Sequence, residues 1–232
     1  MKLLLTSDGL SNDSIKIALR GMLDKPTEQT NIVFVPTGSH PVRMDKTWLV
    51  DDIRRVHELG WKKFEVIDLA VVSDWPKELW LPVFEEADVI MLCGGHAHYL
   101  SYWLERSGML QELPKLLKDK VYVGISAGSM VATKSLITSS TGLRKYANMS
   151  DDETKQVPPH QLGEKTMGLV DFLFRPHLNS TSFPLVTREF MTKMAVDLKR
   201  PVYLVDDETA VRVVDGKVKV VSEGEWYLLE SH

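Results

Sequence analysis

Cysteine is nearly missing from this chain: Cys93 is the only one among 232 residues. An intramolecular disulfide is therefore excluded, and the usage fits a reducing cytoplasm. Excess positive charge is missing as well. Twenty-eight Lys and Arg stand against 32 Asp and Glu, a net charge of −4 without any basic block. That leaves no electrostatic footprint for a nucleic acid. No apolar run approaches a membrane span, and the short one at residues 3–5 is too brief for the core of a signal peptide. Internal repeats and low-complexity tracts are absent too. What remains is ordinary for a globular chain, 44% hydrophobic and 26% charged, and 232 residues suffice for one domain with a three-layer core.

The patterning alternates. Apolar, β-branched runs at residues 2–6, 31–35, 63–67, 87–92 and 121–125 read as strands. Between them, helical periodicity appears at 12–23, 44–59, 97–105 and 110–117. Strand–helix alternation predicts a parallel sheet covered on both faces. Residues 139–169 hold glycines, a Pro-Pro pair and polar clusters, and read as a surface excursion. Further strands are expected at 172–175 and 201–205, with a helix at 185–198 between them. Asp215-Gly216 between two apolar runs predicts an antiparallel hairpin, and 226–229 a last edge strand.

The most informative stretch is V-Y-V-G-I-S-A-G-S-M (121–130), a G-x-S-x-G between a strand and a helix. In that context a tight turn lifts the hydroxyl of Ser126 out of the sheet, and the next amide, of Ala127, faces the same space. The alternative is a glycine-rich turn whose serine only caps the helix. A nucleophilic serine needs a base, and His177 follows a short apolar strand and a proline, at the sheet edge where ligands bind. The base needs an orienting acid. Asp206-Asp207-Glu208 closes another strand; Glu208 is favoured for that role and Asp207 is the alternate, since alternation allows only one to face inward. The pair Gly94-Gly95, ending the fourth strand, can bring a second backbone amide to an oxyanion.

Taken together, C-G-G-H-A-H-Y-L (93–100), V-G-I-S-A-G-S (123–129), F-R-P-H (174–177) and D-E-T-A (207–210) resemble the dipeptidase E family of serine peptidases. That family includes aspartyl dipeptidases and the related cyanophycinases. The resemblance spans nearly the whole chain. It implies a flavodoxin-like, three-layer α/β sandwich akin to class I glutamine amidotransferases. It also implies Ser126 as nucleophile, His177 as general base and the amides of Gly95 and Ala127 as oxyanion donors. Two positions depart from the family pattern. His96 stands where an asparagine is usual, and Thr141 where aspartyl dipeptidases carry an aspartate, which leaves Glu208 as the acid in a Ser–His–Glu arrangement. The expectation is thus a serine hydrolase of small peptides, dipeptidase-type, with an N-terminal acidic residue as one substrate class. It calls for no metal or cofactor, no nucleic acid or membrane partner, and a monomer or homodimer. Arg175, Arg144 and Arg188 are candidates to meet an acidic substrate group.

Four other readings compete. Cys93, His96 and His98 are residue types that metals take, but no further ligand has suitable spacing. An α/β-hydrolase would place its histidine after the acid, and here His177 comes before it. A glutamine amidotransferase would carry cysteine at 126 and glutamate at 179, where this chain has Ser126 and Asn179. An idle relative acting as a binding module, or one cleaving an isopeptide as cyanophycinases do, would share the same motifs.

Overall fold

The computed structural model describes residues 1–150 and 154–230; within the excursion 139–169, residues 151–153 lie outside that description. In chain order the elements are β1 (Lys2–Thr6), α1 (Asp13–Arg20), β2 (Asn31–Val35), α2 (Thr47–His57), β3 (Lys63–Val66), α3 (Leu69–Val72) and α4 (Leu81–Glu86). Then come β4 (Val89–Leu92), α5 (Ala97–Arg106), α6 (Met109–Leu116), β5 (Val121–Ile125), α7 (Ala127–Val131) and α8 (Ser140–Tyr146). The chain closes with β6 (Leu173–Arg175), α9 (Arg188–Ala195), β7 (Val202–Val205), β8 (Thr209–Val214), β9 (Lys217–Ser222) and β10 (Trp226–Leu229).

Seven strands form the main sheet in the order β3-β2-β4-β5-β1-β8-β9. The first five positions run parallel, and β8 and β9 are antiparallel additions at the β1 edge. This is the expected mostly parallel α/β fold with its antiparallel hairpin. Period-two alternation sends the side chains of the central strands to opposite faces of the sheet, both of them apolar. Leu3 and Leu5 point into one layer with Val33, Val35, Leu92 and Leu100. Leu4 points into the other with Phe34, Met91, Ile15 and Val56. The hairpin turns at Asp215 and Gly216, both at positive φ (49° and 78°), as a two-residue turn of matching twist requires.

Three strands read from the sequence belong elsewhere. β6, β7 and β10 make a second sheet in the order β10-β7-β6. Phe174 and Val205 on one of its faces join the layer holding Leu3 and Leu5. Leu173, Val202 and Leu204 on the other pack against Met191 and Met194 of α9. Alternation reveals that both faces are buried but not which strand is the neighbour. The excursion also contains an unexpected helix. α8 is capped by Ser139, whose hydroxyl accepts from the Gly142 amide, and anchored by buried Leu143. Two apolar residues in seven, Leu143 and Tyr146, are too little periodicity to announce a helix.

Candidate active site

The carboxyl ends of β1, β4, β5, β6 and β7 open onto one cleft of about 450 Å³, with Ser7, Gly95, Ser126, His177 and Asp207 among its walls. Ser126 sits directly after β5 at φ 47°, ψ −105°, a conformation costly for any residue with a Cβ. The surrounding packing holds it there. A Cβ on Gly128 would lie 2.1 Å from the Leu92 carbonyl oxygen, and one on Gly124 would lie 2.5 Å from the Ser129 amide nitrogen. The two motif glycines therefore let α7 press onto β4 and β5. The Ser126 amide donates to the Thr6 carbonyl (3.0 Å), and Ser129 Oγ donates to the carbonyls of Thr6 and Gly124 (2.8 Å each).

His177 follows β6, also at positive φ (66°), and its ring stacks on Phe183 with centroids 4.5 Å apart and planes 9° from parallel. Its Nε2 lies 2.8 Å from Ser126 Oγ. Its Nδ1 lies 2.6 Å from Asp207 Oδ1. A carboxylate only accepts, so Nδ1 carries the ring proton and Nε2 is left to accept from the serine hydroxyl. Burial raises the Asp207 pKa, but hydrogen bonds from His177 and Ser7, and the charges of His177 and Arg55, outweigh it. The carboxyl is held below its ordinary value.

The acid at the imidazole is therefore Asp207, a correction to the expectation of Glu208. The cause is local. Asp206 Oδ1 accepts from the Glu208 amide and from Thr209 Oγ, a tight turn that sends the Glu208 side chain to solvent. Alternation does separate the two residues, with Asp207 on the cleft side. Sequence reasoning missed Ser7 altogether. Fully buried, it accepts from the His177 amide (2.9 Å) and donates to Asp207 Oδ1 (2.7 Å), tying the ends of β1, β6 and β7 together. Its signal was its place at a strand's carboxyl end, the same signal that marked His177.

Gly95 has φ 123°, and a Cβ there would overlap the Gly38 carbonyl at 2.1 Å. Among the described residues, neither its amide nor that of Ala127 donates a hydrogen bond within the protein. Both residues border the cleft beside Ser126, where such amides can receive a developing oxyanion. His96 caps α5, its Nδ1 accepting from the Tyr99 amide (3.2 Å). His98 donates from Nδ1 to the Gly163 carbonyl (2.8 Å), so its Nε2 accepts from Ser139 Oγ (3.0 Å). With Cys93 buried beside Asp52, these three side chains serve three separate purposes. Among the described residues no group of His, Cys, Asp and Glu is arranged to hold a metal. Of the three candidate arginines only Arg175 borders the cleft; it is buried, donates to the Thr138 carbonyl (3.0 Å) and lies over Phe183. Arg188 stacks on Tyr227, and Arg144 reaches the Ser150 carbonyl, both away from the cleft walls. Thr141 does line the cleft.

Two solved structures share this fold. One, given as a candidate peptidase E from Listeria monocytogenes EGD-e, is 20% identical, with 96% of this chain and 98% of that one covered at a TM-score of 0.73. The other, a peptidase from an acI-B1 Actinobacterium, is 18% identical, with 99% and 90% covered at a TM-score of 0.67. No curated protein matches the chain. The model of peptidase family S51 matches residues 3–221. That match takes in the Ser126 elbow between β5 and α7, the stacked imidazole and the strand ends that carry their partners. This chain therefore belongs to peptidase family S51 and is a serine-type peptidase.

Proposed function

We propose that the protein hydrolyses small peptides through an acyl-enzyme on Ser126. The observation that carries this reading is one unbroken relay, Ser126 Oγ to His177 Nε2 at 2.8 Å and His177 Nδ1 to Asp207 Oδ1 at 2.6 Å. In this reading His177 takes the serine proton as Oγ attacks the scissile carbonyl. The amides of Gly95 and Ala127 hold the oxyanion, each worth about 10²–10³ in turnover. Asp207 keeps the imidazole in the needed tautomer and stabilises its cation. The protonated imidazole then gives its proton to the leaving amine, and water repeats the cycle on the ester.

The cleft's modest size supports a dipeptide-sized substrate. Arg175 at its wall supports a carboxylate on that substrate, either an acidic side chain or the peptide's own terminus. The test is a dipeptide panel varied at the first residue, run with wild type and Ser126→Ala. Hydrolysis of at least one free dipeptide, reduced by about 10⁶ in the variant, is expected. A well-folded wild type that cleaves none of them, an isopeptide of aspartate included, would contradict the small-peptide reading.

A further inference from the structure

One wall of the cleft plays no part in the chemistry above. Asp8, just past β1, and Asp52, on the inner face of α2, both line it. Asp52 is 3% exposed, yet its Oδ1 accepts no hydrogen bond among the described residues. Buried carboxylate oxygens are ordinarily satisfied, so this one asks for a donor. The guanidinium nearby does not supply it. Arg55 Nη1 donates to Asp8 Oδ2 at 2.9 Å and to the Asp8 carbonyl at 3.2 Å, and stays 4.0 Å from Asp52 Oδ1. Two carboxylates thus share one cation. The other neighbours do not redress the balance: the Cys93 thiol lies 4.0 Å from Asp52 Oδ2, Asp51 pairs with Arg54, and Asp207 and His177 act on Asp8 as a mutually paired couple. The backbone approaches closely as well: Gly9 stands at φ +65°, and a Cβ there would come within 2.8 Å of Asp52 Oδ1, so the chain just past β1 is pressed against the unpartnered oxygen.

We infer that Asp52, with Asp8 beside it, forms a subsite for a substrate-borne ammonium group. An ammonium brings a compact positive charge and three donors. It would give the unpartnered oxygen its hydrogen bond and the shared guanidinium a second cation to balance the two acids. The source is either the free α-amine of the peptide or the side-chain amine of a lysine. The inference rests on the peptidase reading, and Arg175 on a different strand would meet a carboxylate of the same molecule. Asp52 also carries a readable signature: burial and the charges of Asp8 and Asp51 push its pKa up to about 7, against the pull of Arg55. A cation binds the ionised form. Affinity for an ammonium substrate should therefore rise by roughly tenfold between pH 5.5 and 7.0, a range in which an α-amine stays mostly charged.

The test uses aminoacyl p-nitroanilides. Free-amine substrates are compared with their N-acetyl forms and with N-acetyl-lysine p-nitroanilide, in wild type and in Asp52→Asn. If the α-amine is the ligand, acetylation raises KM at least tenfold. If a side chain is, acetylation changes little and lysine lowers KM at least tenfold against alanine. Under either outcome Asp52→Asn shrinks the difference to within about threefold and flattens the pH dependence of KM between 5.5 and 7.0. Wild-type KM that ignores acetylation, lysine and pH alike overturns the subsite, whatever the variant does. So does a tenfold preference that survives intact in folded Asp52→Asn. A wild type that turns over no substrate and takes no fluorophosphonate label fails the peptidase reading itself, which is a different result.

Discussion

Asp207 and Glu208 are neighbours with the same charge, and the difference between them comes down to which side of a turn each one occupies. Only Asp207 reaches the imidazole. Asp207→Asn should lower kcat by about 10⁴, because the amide can hold the wrong tautomer, while Glu208→Gln, at an exposed side chain, should stay within twofold of wild type. Steady-state kinetics on the best dipeptide checks both. Ser7 belongs to the same scale. Its hydroxyl bonds an ionised carboxylate, a contact worth about 1.5–3 kcal/mol, so Ser7→Ala should cost about 10- to 100-fold in kcat with KM little changed. Ser7→Thr, which keeps the hydroxyl, should recover most of it; equal losses in both would mean a packing defect. The residues that could be read in advance were those with a signature of their own: a serine between glycines, a histidine after a proline at a strand end. The right carboxylate could not be, since the choice is made by the Asp206 turn, and that turn depends on where β8 and the Glu225 segment lie.

At the scale of elements, the parallel core was legible because β1, β2, β4 and β5 repeat one rule, apolar on both faces and closed within two residues by Ser, Pro or Gly. Boundaries moved by a few residues, as at α9, expected from 185 and observed as Arg188–Ala195 with Thr187 as its cap. The second sheet was not legible: Leu173–Arg175 is three residues long, and its partner β7 lies some 27 positions on, past a whole helix. Strand pairing is a long-range choice that side-chain alternation leaves open. The elbow shows how closely elements must fit. Gly128→Ala would place a methyl 2.1 Å from the Leu92 carbonyl, and backbone on both sides prevents relief. Such overpacking should cost about 3 kcal/mol or more, read as a fall in denaturation midpoint at unchanged m-value. Asn12→Ala, which removes the α1 cap, should cost only about 1 kcal/mol.

Across the whole molecule, binding machinery and stability meet at Asp52. Its pKa, raised from 3.8 to about 7 by burial first, means the folded state holds a proton that the unfolded chain has released. Stability contributed by that proton is complete below about pH 4 and is lost as pH rises through 7. Asp52→Asn removes the dependence. It should stabilise the protein progressively from pH 5 to pH 8, by about 4 kcal/mol at most from a shift of this size. Thermal melts of the two proteins across that range check the sign; a gain that shrinks with rising pH would contradict it. Retaining a group that destabilises the empty fold at neutral pH is what a ligand site does. No helix among the described residues is long and apolar enough to cross a membrane, and the fold brings five strand ends to one cleft. Intact-mass analysis after treatment with an alkyl fluorophosphonate asks most directly whether they converge on a working nucleophile. The account predicts one adduct per chain, mapped to Ser126, formed at least a hundredfold more slowly in His177→Ala and not at all in Ser126→Ala. Folded wild-type protein that stays unmodified, or an adduct at any other serine, would contradict it.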